Sequence, residues 1–350
     1  MATKVSAVNA LAAALLCSTA LPQNASAVDQ VVCQRHKNAI NLSLRADVEM
    51  LRSGHLNRLA QTLTYNFRRN SELPLIGEVT ISNGTLSFRV GDPANVEVAL
   101  SEARRLAEID FMAGQGAWIA SKQAPDKVNI QFNDAALIRD MNVYLEPAQY
   151  IILNRLNMYG ITDVITVIKG PTDLVVQVPV LEYSANIKKL IIPTGNLNLA
   201  LVDREADPSD LRQAIAPPGD EILLFPRSSV GVIAVRRIGR AANNKILKAE
   251  AIKSTTSGNA LIKLTLNAEG NIWLNRVLSL EKNGQIAIIL DGQIIGTVKI
   301  DSNLRSNTFK FDVGDSNEYA HLTSIILMSG NMPVSMNVYE EKSCVFANRR

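Results

Sequence analysis

The order of strand and helix patterns in the first 200 residues constrains the fold of this chain more than any other feature. Residues 39–44 alternate between apolar and polar side chains, as in a strand, and residues 46–70 have a helical pattern. Two further strand patterns are joined by Asn83 and Gly84, which tolerate the positive φ angles of a tight hairpin turn. A second helix follows, and the same order then repeats. The sequence therefore predicts a duplicated α+β sandwich, with helices on one face of each antiparallel sheet.

The helices of this repeat are predicted from apolar stripes. In the first unit Asp92 can cap the helix and Pro93 suits its first turn. Its stripe comprises Val96, Ala99, Leu100, Ala103 and Leu106. The corresponding helix of the second unit has the stripe Leu145, Ala148, Ile152, Leu156 and Tyr159, and Gly160 can end it.

A second core is predicted after residue 207, behind the stiff connector APPGDE at residues 216–221. It has several strand patterns, a helix at residues 268–280 capped by Asn267, and a hairpin that turns at Asp291 and Gly292. A last helix is expected at residues 316–329, with Asp315 and Glu318 as its capping box. A strand at residues 334–340 follows it.

Composition excludes several classes of function. The length of 350 residues predicts roughly two domains, and a hydrophobic content of 47% is enough to form their cores. The 36 basic and 33 acidic residues do not form basic runs, so we expect no nucleic-acid partner. Three His, three Cys and 5% aromatic residues offer little material for a metal site, and no nucleophile motif is present. We therefore expect no catalytic residue, metal, cofactor or small-molecule substrate.

Two short motifs have a chemical interpretation and a simpler one. Gly114 and Gly116 could belong to a nucleotide-binding loop, but the third glycine is missing and an ordinary loop is favoured. The acidic stretch at residues 203–210 could bind a cation weakly, but it lacks the calcium-loop pattern. A solvated, acidic start of a helix is the favoured interpretation there.

The first 27 residues have the pattern of a secretory signal peptide. Lys4 precedes an apolar stretch, and Ala25, Ser26 and Ala27 form an A-x-A site, which predicts cleavage between Ala27 and Val28. A transmembrane anchor is the alternative, but the apolar run is shorter than the ~18 residues that a span requires. We expect a soluble mature protein in an oxidising compartment.

The mature chain would retain two cysteines, Cys33 and Cys344. An even number of cysteines in an exported protein favours a disulfide, and two free thiols near the termini are the alternative.

Four groups of segments resemble the first periplasmic domain of the SecD family, a subunit of the bacterial preprotein translocase. IILNRLNMYGITD and LVVQVP resemble a helix and strand of its base subdomain, and NLNLALVDREAD resembles the strand that closes that base. APPGDEIL, LTLNAEG and IAIILDGQIIG resemble segments of its head subdomain. LTSIILMSGNMPVSMNVYEE resembles the stretch that returns the chain to the base.

The resemblance implies a base of two ferredoxin-like βαββαβ halves with an inserted α+β head. The expected divisions are a signal peptide (1–27), a base (28–215, with halves at about 38–127 and 128–207), a head (216–312), a return segment (313–345) and a tail (346–350). The head is expected to hinge near residues 216–219 and 307–312. Since this fold brings its first and last strands together, it also implies a disulfide between Cys33 and Cys344.

The resemblance implies a function in which the protein binds translocating or unfolded polypeptide during Sec-dependent export. The partners would be such polypeptides and the membrane subunits of the Sec translocase. The location would be the periplasm, either free or peripheral at the inner membrane. The family has transmembrane helices that this sequence lacks, and KNAINLSL replaces its Asp-Leu-x-Gly-Gly motif. A non-catalytic structural or scaffold role in the cell envelope is therefore the alternative.

Ile272 and Trp273 are the candidate polypeptide-binding residues. With Leu274 they span 200° of the predicted head helix, so the three side chains cannot share one narrow buried face. An exposed pair could contact apolar segments of unfolded chains, whereas packing of two of the three in the core is the favoured alternative.

Overall fold

The computed structural model describes residues 38–69, 75–109, 116–179, 184–226, 231–237, 245–255, 258–280, 284–300 and 307–345. The expected signal peptide with Ala27 and Val28, Cys33, the side chain of Cys344 and the tail at 346–350 lie outside these described residues. The described chain mixes helices with antiparallel strands, which confirms the α+β class.

The described helices and strands of the first 202 residues follow one another along the chain. They are β1 (Asn38–Ala46), α1 (Val48–Arg69), β2 (Leu75–Ser82), β3 (Thr85–Val90), α2 (Val96–Ile109), β4 (Trp118–Ala124), β5 (Lys127–Phe132), α3 (Asp134–Arg139), α4 (Asn142–Met158), β6 (Ile165–Lys169), β7 (Asp173–Val178), α5 (Ser184–Ile191) and β8 (Leu197–Val202).

The remaining elements follow from residue 208. They are α6 (Pro208–Arg212), β9 (Glu221–Leu224), β10 (Val232–Arg237), β11 (Ile246–Lys253), β12 (Ala260–Leu266), α7 (Ala268–Leu280), β13 (Gln285–Leu290), β14 (Gln293–Lys299), β15 (Thr308–Gly314), α8 (Asn317–Ser329) and β16 (Met336–Val345).

The first sheet joins both ends of the described chain. Its order is β16-β1-β7-β6, and all three pairs are antiparallel. Arg45 of β1 donates to both carboxylate oxygens of Asp173 at 2.9 Å, and the hydroxyl of Tyr339 donates to Asp173 Oδ2 at 2.9 Å. These three side chains come from β1, β7 and β16, so one polar cluster links three adjacent strands of the sheet.

The second sheet has the order β2-β3-β5-β4, and α1 and α2 pack against it. The strand at residues 127–132 therefore pairs with β3 and β4, although we expected it to begin the second half of the base. Strand β1, which we expected in the first half, lies in the other sheet. The two sheets thus do not follow two consecutive βαββαβ units, because strand pairing is decided by long-range contact rather than by order along the chain.

The third sheet has five strands in the order β14-β13-β8-β10-β9. Strand β8, expected to close the base, lies at its centre, between β13 and β10. One face of this sheet packs into the main core, and its other face has a small apolar cluster. That cluster comprises Ala200, Leu223, Val235, Ala287, Ile289 and Ile294.

The fourth sheet has the order β11-β12-β15, with α8 packed against β11 and β12 and α7 against β12. It meets the third sheet where β15 passes β14. Gly296 of β14 permits this approach, because a Cβ at that position would lie 2.4 Å from Phe311 Cδ2. Residues 307–312, expected as a second hinge, form most of β15. Phe309 and Phe311 of that strand are buried.

The main core is continuous across all four sheets. It includes Leu42 of the first sheet, Leu86 of the second, Leu199 of the third and Leu264 of the fourth, all of them buried. None of the helices in the described part of the chain combines the length and the apolar character needed to cross a bilayer.

Most local predictions match the described elements. Asn83 and Asp291 adopt φ angles of 50° and 49° in the two expected hairpin turns. The last helix is capped by Ser316, whose Oγ accepts from the amide of Tyr319 at 3.1 Å, rather than by Asp315 as expected. Strands β4, β11 and β15 and helix α3 were not predicted. Helix α3 is only six residues long, which is too short to show a helical repeat of apolar residues.

Candidate functional site at an arginine-centred joint

Arg155 is the most unusual buried residue of the described chain. It lies on α4 among the buried side chains of Ile152 and Leu156, and its own side chain is 0% exposed. A guanidinium in such a position must have every donor matched, since an unpaired buried charge costs several kcal/mol. The arrangement of its partners therefore shows which segments it holds.

The hydrogen bonds of Arg155 reach three chain segments. Its Nε donates to Ser329 Oγ at 2.8 Å, at the end of α8. Its Nη1 donates to the carbonyl oxygen of Leu190 at 2.9 Å, at the end of α5, and to that of Pro193. Its Nη2 donates to the carbonyl oxygens of Thr194, at 3.0 Å, and Gly330, at 3.1 Å. One side chain thus satisfies backbone carbonyls that the ends of two helices leave unpaired.

Burial lowers the pKa of Arg155 to about 10, and the charge of Asp291 opposes this shift. The guanidinium therefore remains protonated at neutral pH. A permanent positive charge in this position suits a structural clamp more than proton transfer.

Gly195 makes room for the guanidinium. Its φ angle is +82°, and a Cβ at this position would lie 2.7 Å from Arg155 Nη2. Both the backbone conformation and the close approach require glycine here.

Asp291 attaches the β13–β14 hairpin to the same segment. Its Oδ1 accepts from the amide of Asn196 at 2.8 Å and from the hydroxyl of Thr194, and its Oδ2 accepts from the amide of Gly195 at 3.1 Å. Residues 192–196 lead from α5, which packs on α4 and α8, into β8 of the third sheet. We call Arg155, Asp291, Ser329, Gly330 and residues 190–196 the arginine joint.

A groove of about 450 Å³ lies beside the arginine joint. It is bounded by residues 189–193, by the β13–β14 hairpin and by α8. Its apolar lining comprises Pro193, Leu290, Ile295, Leu322 and Ile326. Lys189 and Tyr319 also line it, and Tyr319 is 42% exposed. The groove is large enough for an apolar side chain, and it offers hydrogen-bonding groups at its edge.

The sequence-predicted candidates lie elsewhere, on α7. Ile272 is 66% exposed, Trp273 is partly buried against the main core, and Leu274 is fully buried. Of these three side chains, only Ile272 is exposed to solvent, and the other two pack wholly or partly in the core. They do not line the groove.

The acidic stretch at residues 203–210 has two structural roles. Asp207 caps α6, and its carboxylate accepts from the amide of Ser209 at 2.7 Å. Asp203 forms an ion pair with Arg236 at 3.3 Å and is largely shielded from solvent. The described residues contain no group of three or more His, Cys, Asp or Glu side chains that could hold a metal ion.

Sequence reasoning did not identify Arg155 as a clamp. A signal was present, because Arg155 lies three residues after Ile152 and seven after Ala148, on the predicted apolar stripe of its helix. A charged residue on such a stripe indicates a buried ion. Its partners come from segments 35 to 175 residues away, and the sequence does not specify them.

Comparison with known proteins agrees with the four quoted groups of segments. Residues 221–334 match the family model described as the SecDF P1 head subdomain. The SecDF protein translocase subunit of Brucella abortus is 24% identical over 204 residues, which cover 58% of this chain and 27% of the relative. The SecD subunit of Calditerrivibrio nitroreducens is 19% identical over 294 residues, which cover 81% and 56%. The crystal structure of SecDF in a super-membrane-facing form has a TM-score of 0.46 and 22% identity, covering 57% of this chain and 28% of that one.

These matches place the chain among proteins related to the SecD and SecDF subunits, with residues 221–334 matching the P1 head subdomain. The described elements form an α+β assembly of antiparallel sheets. The chain carries a periplasmic domain of the SecD family. It spans 27% and 56% of the length of the two relatives named above.

Proposed function

We propose that this protein binds translocating or unfolded polypeptide during Sec-dependent protein export, without catalysis. The observation that carries the proposal is the match of residues 221–334 to the head subdomain of SecDF. The groove at the arginine joint and the exposed Ile272 support it, because both offer apolar contact to an extended chain. Such contacts tolerate many sequences, as a protein that receives and releases different chains requires.

We propose that the base is a ferredoxin-like unit completed by the last strand. The order β16-β1-β7-β6 corresponds to 4-1-3-2 when its strands are counted along the chain, which supports this interpretation. The expected head, which begins at residue 216, then shares its five-stranded sheet with β8 of the preceding segment. The arginine joint, at the start of β8, would hold the base and the head together.

The holding activity is tested with a reduced, unfolded client protein whose aggregation is followed by light scattering. We expect a several-fold molar excess of the purified protein to suppress aggregation. Unchanged aggregation at that excess, together with crosslinking in cells to one folded envelope partner, would favour the structural or scaffold alternative.

Two pairs of variants locate the contact. Ile272→Ser is compared with Val98→Ser, which removes a similarly exposed side chain from α2, and Tyr319→Ala is compared with Tyr150→Ala on α4. We expect Ile272→Ser and Tyr319→Ala to weaken suppression, and the matched controls to leave it unchanged. Equal effects within each pair would remove these two positions from the proposed contact surface.

We propose that the chain is exported to the periplasm and cleaved between Ala27 and Val28, with Cys33 and Cys344 joined in a disulfide. The pairing of Ala39 with Cys344 in the β1–β16 ladder supports the disulfide, because Cys33 is only six residues from Ala39. Intact-mass measurement of the exported form, with and without reduction before alkylation, tests both points. Retention of Met1, recovery only in detergent, or alkylation of both thiols without reduction would contradict the corresponding part.

A further inference from the structure

Two carboxyl groups and one guanidinium meet where the chain enters the head. Strands β8, β10 and β9 are neighbours in that order in the third sheet. Asp203 directly follows β8, Asp220 directly precedes β9, and Arg236 lies on β10 between them. Residues 203–220 leave the third sheet after β8 and return to it at β9, and we call this segment the crossing. The three groups therefore hold the two ends of the crossing together.

The two carboxyl groups are buried, but the cation is not. Arg236 Nη2 lies 3.3 Å from Asp203 Oδ1, and Arg236 Nε lies 3.5 Å from Asp220 Oδ1. The side chains of Asp203 and Asp220 are 8% and 2% exposed, against 49% for Arg236. A half-exposed guanidinium neutralises one charge incompletely, and it cannot neutralise two.

Asp220 Oδ2 is buried and accepts no hydrogen bond from any group in the described part of the chain. A proton on Asp220 Oδ2 would give this oxygen a hydrogen-bond partner, because the resulting O–H group could donate to Asp203. Two adjacent carboxylates of like charge in a shielded site favour such sharing of one proton. A metal ion is a poor alternative partner for these carboxyl groups, because the positive charge of Arg236 already lies beside both of them.

The electrostatics of the surroundings assign the proton to Asp220. Burial raises the pKa of Asp220, and the neighbouring Asp203 raises it further, while Arg236 opposes both effects. The pKa of Asp203 is lowered, mainly because its carboxylate accepts from the amide of Glu205, at 2.9 Å. Helix α6, which packs on β10, carries Asp210 and Arg212, and both are exposed.

We propose that Asp203, Asp220 and Arg236 form a pH-sensitive latch on the crossing at residues 203–220. The latch is closed while Asp220 carries a proton that it donates to Asp203. It loosens when Asp220 ionises, because two anions then face each other in a shielded site. Its role in regulating the head rests on the proposed function, whereas the latch itself does not.

The sign of the pH effect follows from the raised pKa of Asp220. The stabilising contact is fully present below the unfolded-state pKa of an aspartate and is lost as the pH rises through the pKa of Asp220 in the folded protein. One coupled proton changes the opening equilibrium by at most about tenfold per pH unit between these two values.

The test combines two measurements on the whole purified protein. Carboxyl-carbon NMR should show Asp220 titrating above, and Asp203 below, the usual aspartate range. Amide hydrogen exchange of residues 203–220, corrected for intrinsic rates, should lose protection as the pH rises through the Asp220 transition, by up to about tenfold per unit.

Variants distinguish the latch from general pH effects. Asp220→Asn imitates the protonated form, so protection at residues 203–220 should become independent of pH, while Asp210→Asn on α6 should behave as wild type. Arg236→Gln should move the Asp220 transition to higher pH. Both aspartates titrating at or below the usual range, or protection that is unchanged across the titration in wild type, would overturn the proposal.

Failure of the latch and failure of the proposed function give different results. None of these measurements uses a client polypeptide. If protection of residues 203–220 is independent of pH in a protein that still suppresses client aggregation, only the latch proposal is wrong. If protection depends on pH in a protein that does not suppress aggregation, the latch proposal stands and the proposed function is wrong.

Discussion

At the scale of single residues, Arg155 shows how one buried charge can organise distant segments. Its five hydrogen bonds reach α5, the connector before β8 and the end of α8. Without the guanidinium the carbonyl acceptors would be left buried, and each unsatisfied group costs about 1–3 kcal/mol. The stability of the arginine joint therefore depends on this side chain more than on any apolar contact around it.

Arg155→Met should lower the free energy of unfolding by about 3–5 kcal/mol, because it keeps the length of the side chain but leaves its acceptors unpaired. Urea unfolding followed by circular dichroism measures the change. Arg139→Met is the matched control, since the Arg139 side chain is 62% exposed and forms an ion pair with its neighbour Asp140, so we expect a change within about 0.5 kcal/mol. A similar small loss in both variants would contradict the role assigned to Arg155.

Gly195→Ala should destabilise the protein by more than backbone strain alone. The matched control is Gly170→Ala, because Gly170 also has a positive φ, +65°, but has open space around its Cβ position. We expect about 1 kcal/mol of strain in both variants and a further loss in Gly195→Ala from its contact with Arg155. Equal midpoints of urea unfolding would show that the close approach is not constrained.

At the scale of secondary-structure elements, polar clusters fix the register of strands that are far apart in sequence. The cluster of Arg45, Asp173 and Tyr339 spans β1, β7 and β16, and the Arg45 side chain also lies 4.5 Å from the centre of the Tyr339 ring. The hydrogen bond from Arg45 is the main cause that lowers the pKa of Asp173. The stability of the first sheet therefore depends on the pH of the solution through this cluster.

Asp173→Asn should reduce stability at neutral pH by about 1 kcal/mol, a modest value because Arg45 is 57% exposed and water screens the pair. The pKa of Asp173 is lowered in the folded state, so its contribution is present above the unfolded-state value and is lost as the pH falls through the folded-state pKa. The wild type should therefore lose more stability than the variant between about pH 5 and pH 2. Thermal unfolding across this range measures the difference, with Glu78→Gln, an exposed carboxylate on β2, as the control. Parallel pH profiles of wild type and Asp173→Asn would contradict the assignment.

At the scale of the whole molecule, the four sheets share one apolar core. Strand β8 contributes to the sheet of the head, and α8 packs against both α4 and β11. Shared burial of this kind couples the stability of the sheets, since one sheet cannot lose its packing without exposing the apolar side chains of the others.

The chain contains two tryptophans, Trp118 on β4 and Trp273 on α7, which report on different sheets. Trp118→Phe and Trp273→Phe each leave one fluorescent probe. We expect the probes to give coincident urea transitions in the two single-tryptophan variants, after correction for the stability of each, because the core is continuous. Circular dichroism of each variant supplies the reference. Two separated transitions would show that base and head unfold independently.

The sequence by itself determined the local structure and the class of this protein. Apolar stripes such as Leu145 to Leu156 place the helices, and Asn83 with Gly84 and Asp291 with Gly292 place the hairpin turns, because these features depend on neighbours within a few residues. The quoted segments also led to the SecD family, which the comparison confirmed.

Only the tertiary structure decided which strands share a sheet and which groups meet. The residues of β5 and β8 fit a strand in either of two sheets, because an apolar face is satisfied by any matching partner. The acceptors of Arg155 are backbone carbonyls, which every residue type carries, so no sequence pattern marks them. The burial of Asp203 and Asp220 against Arg236 likewise arises from three strands packing side by side, and their chemistry exists only once that sheet has formed.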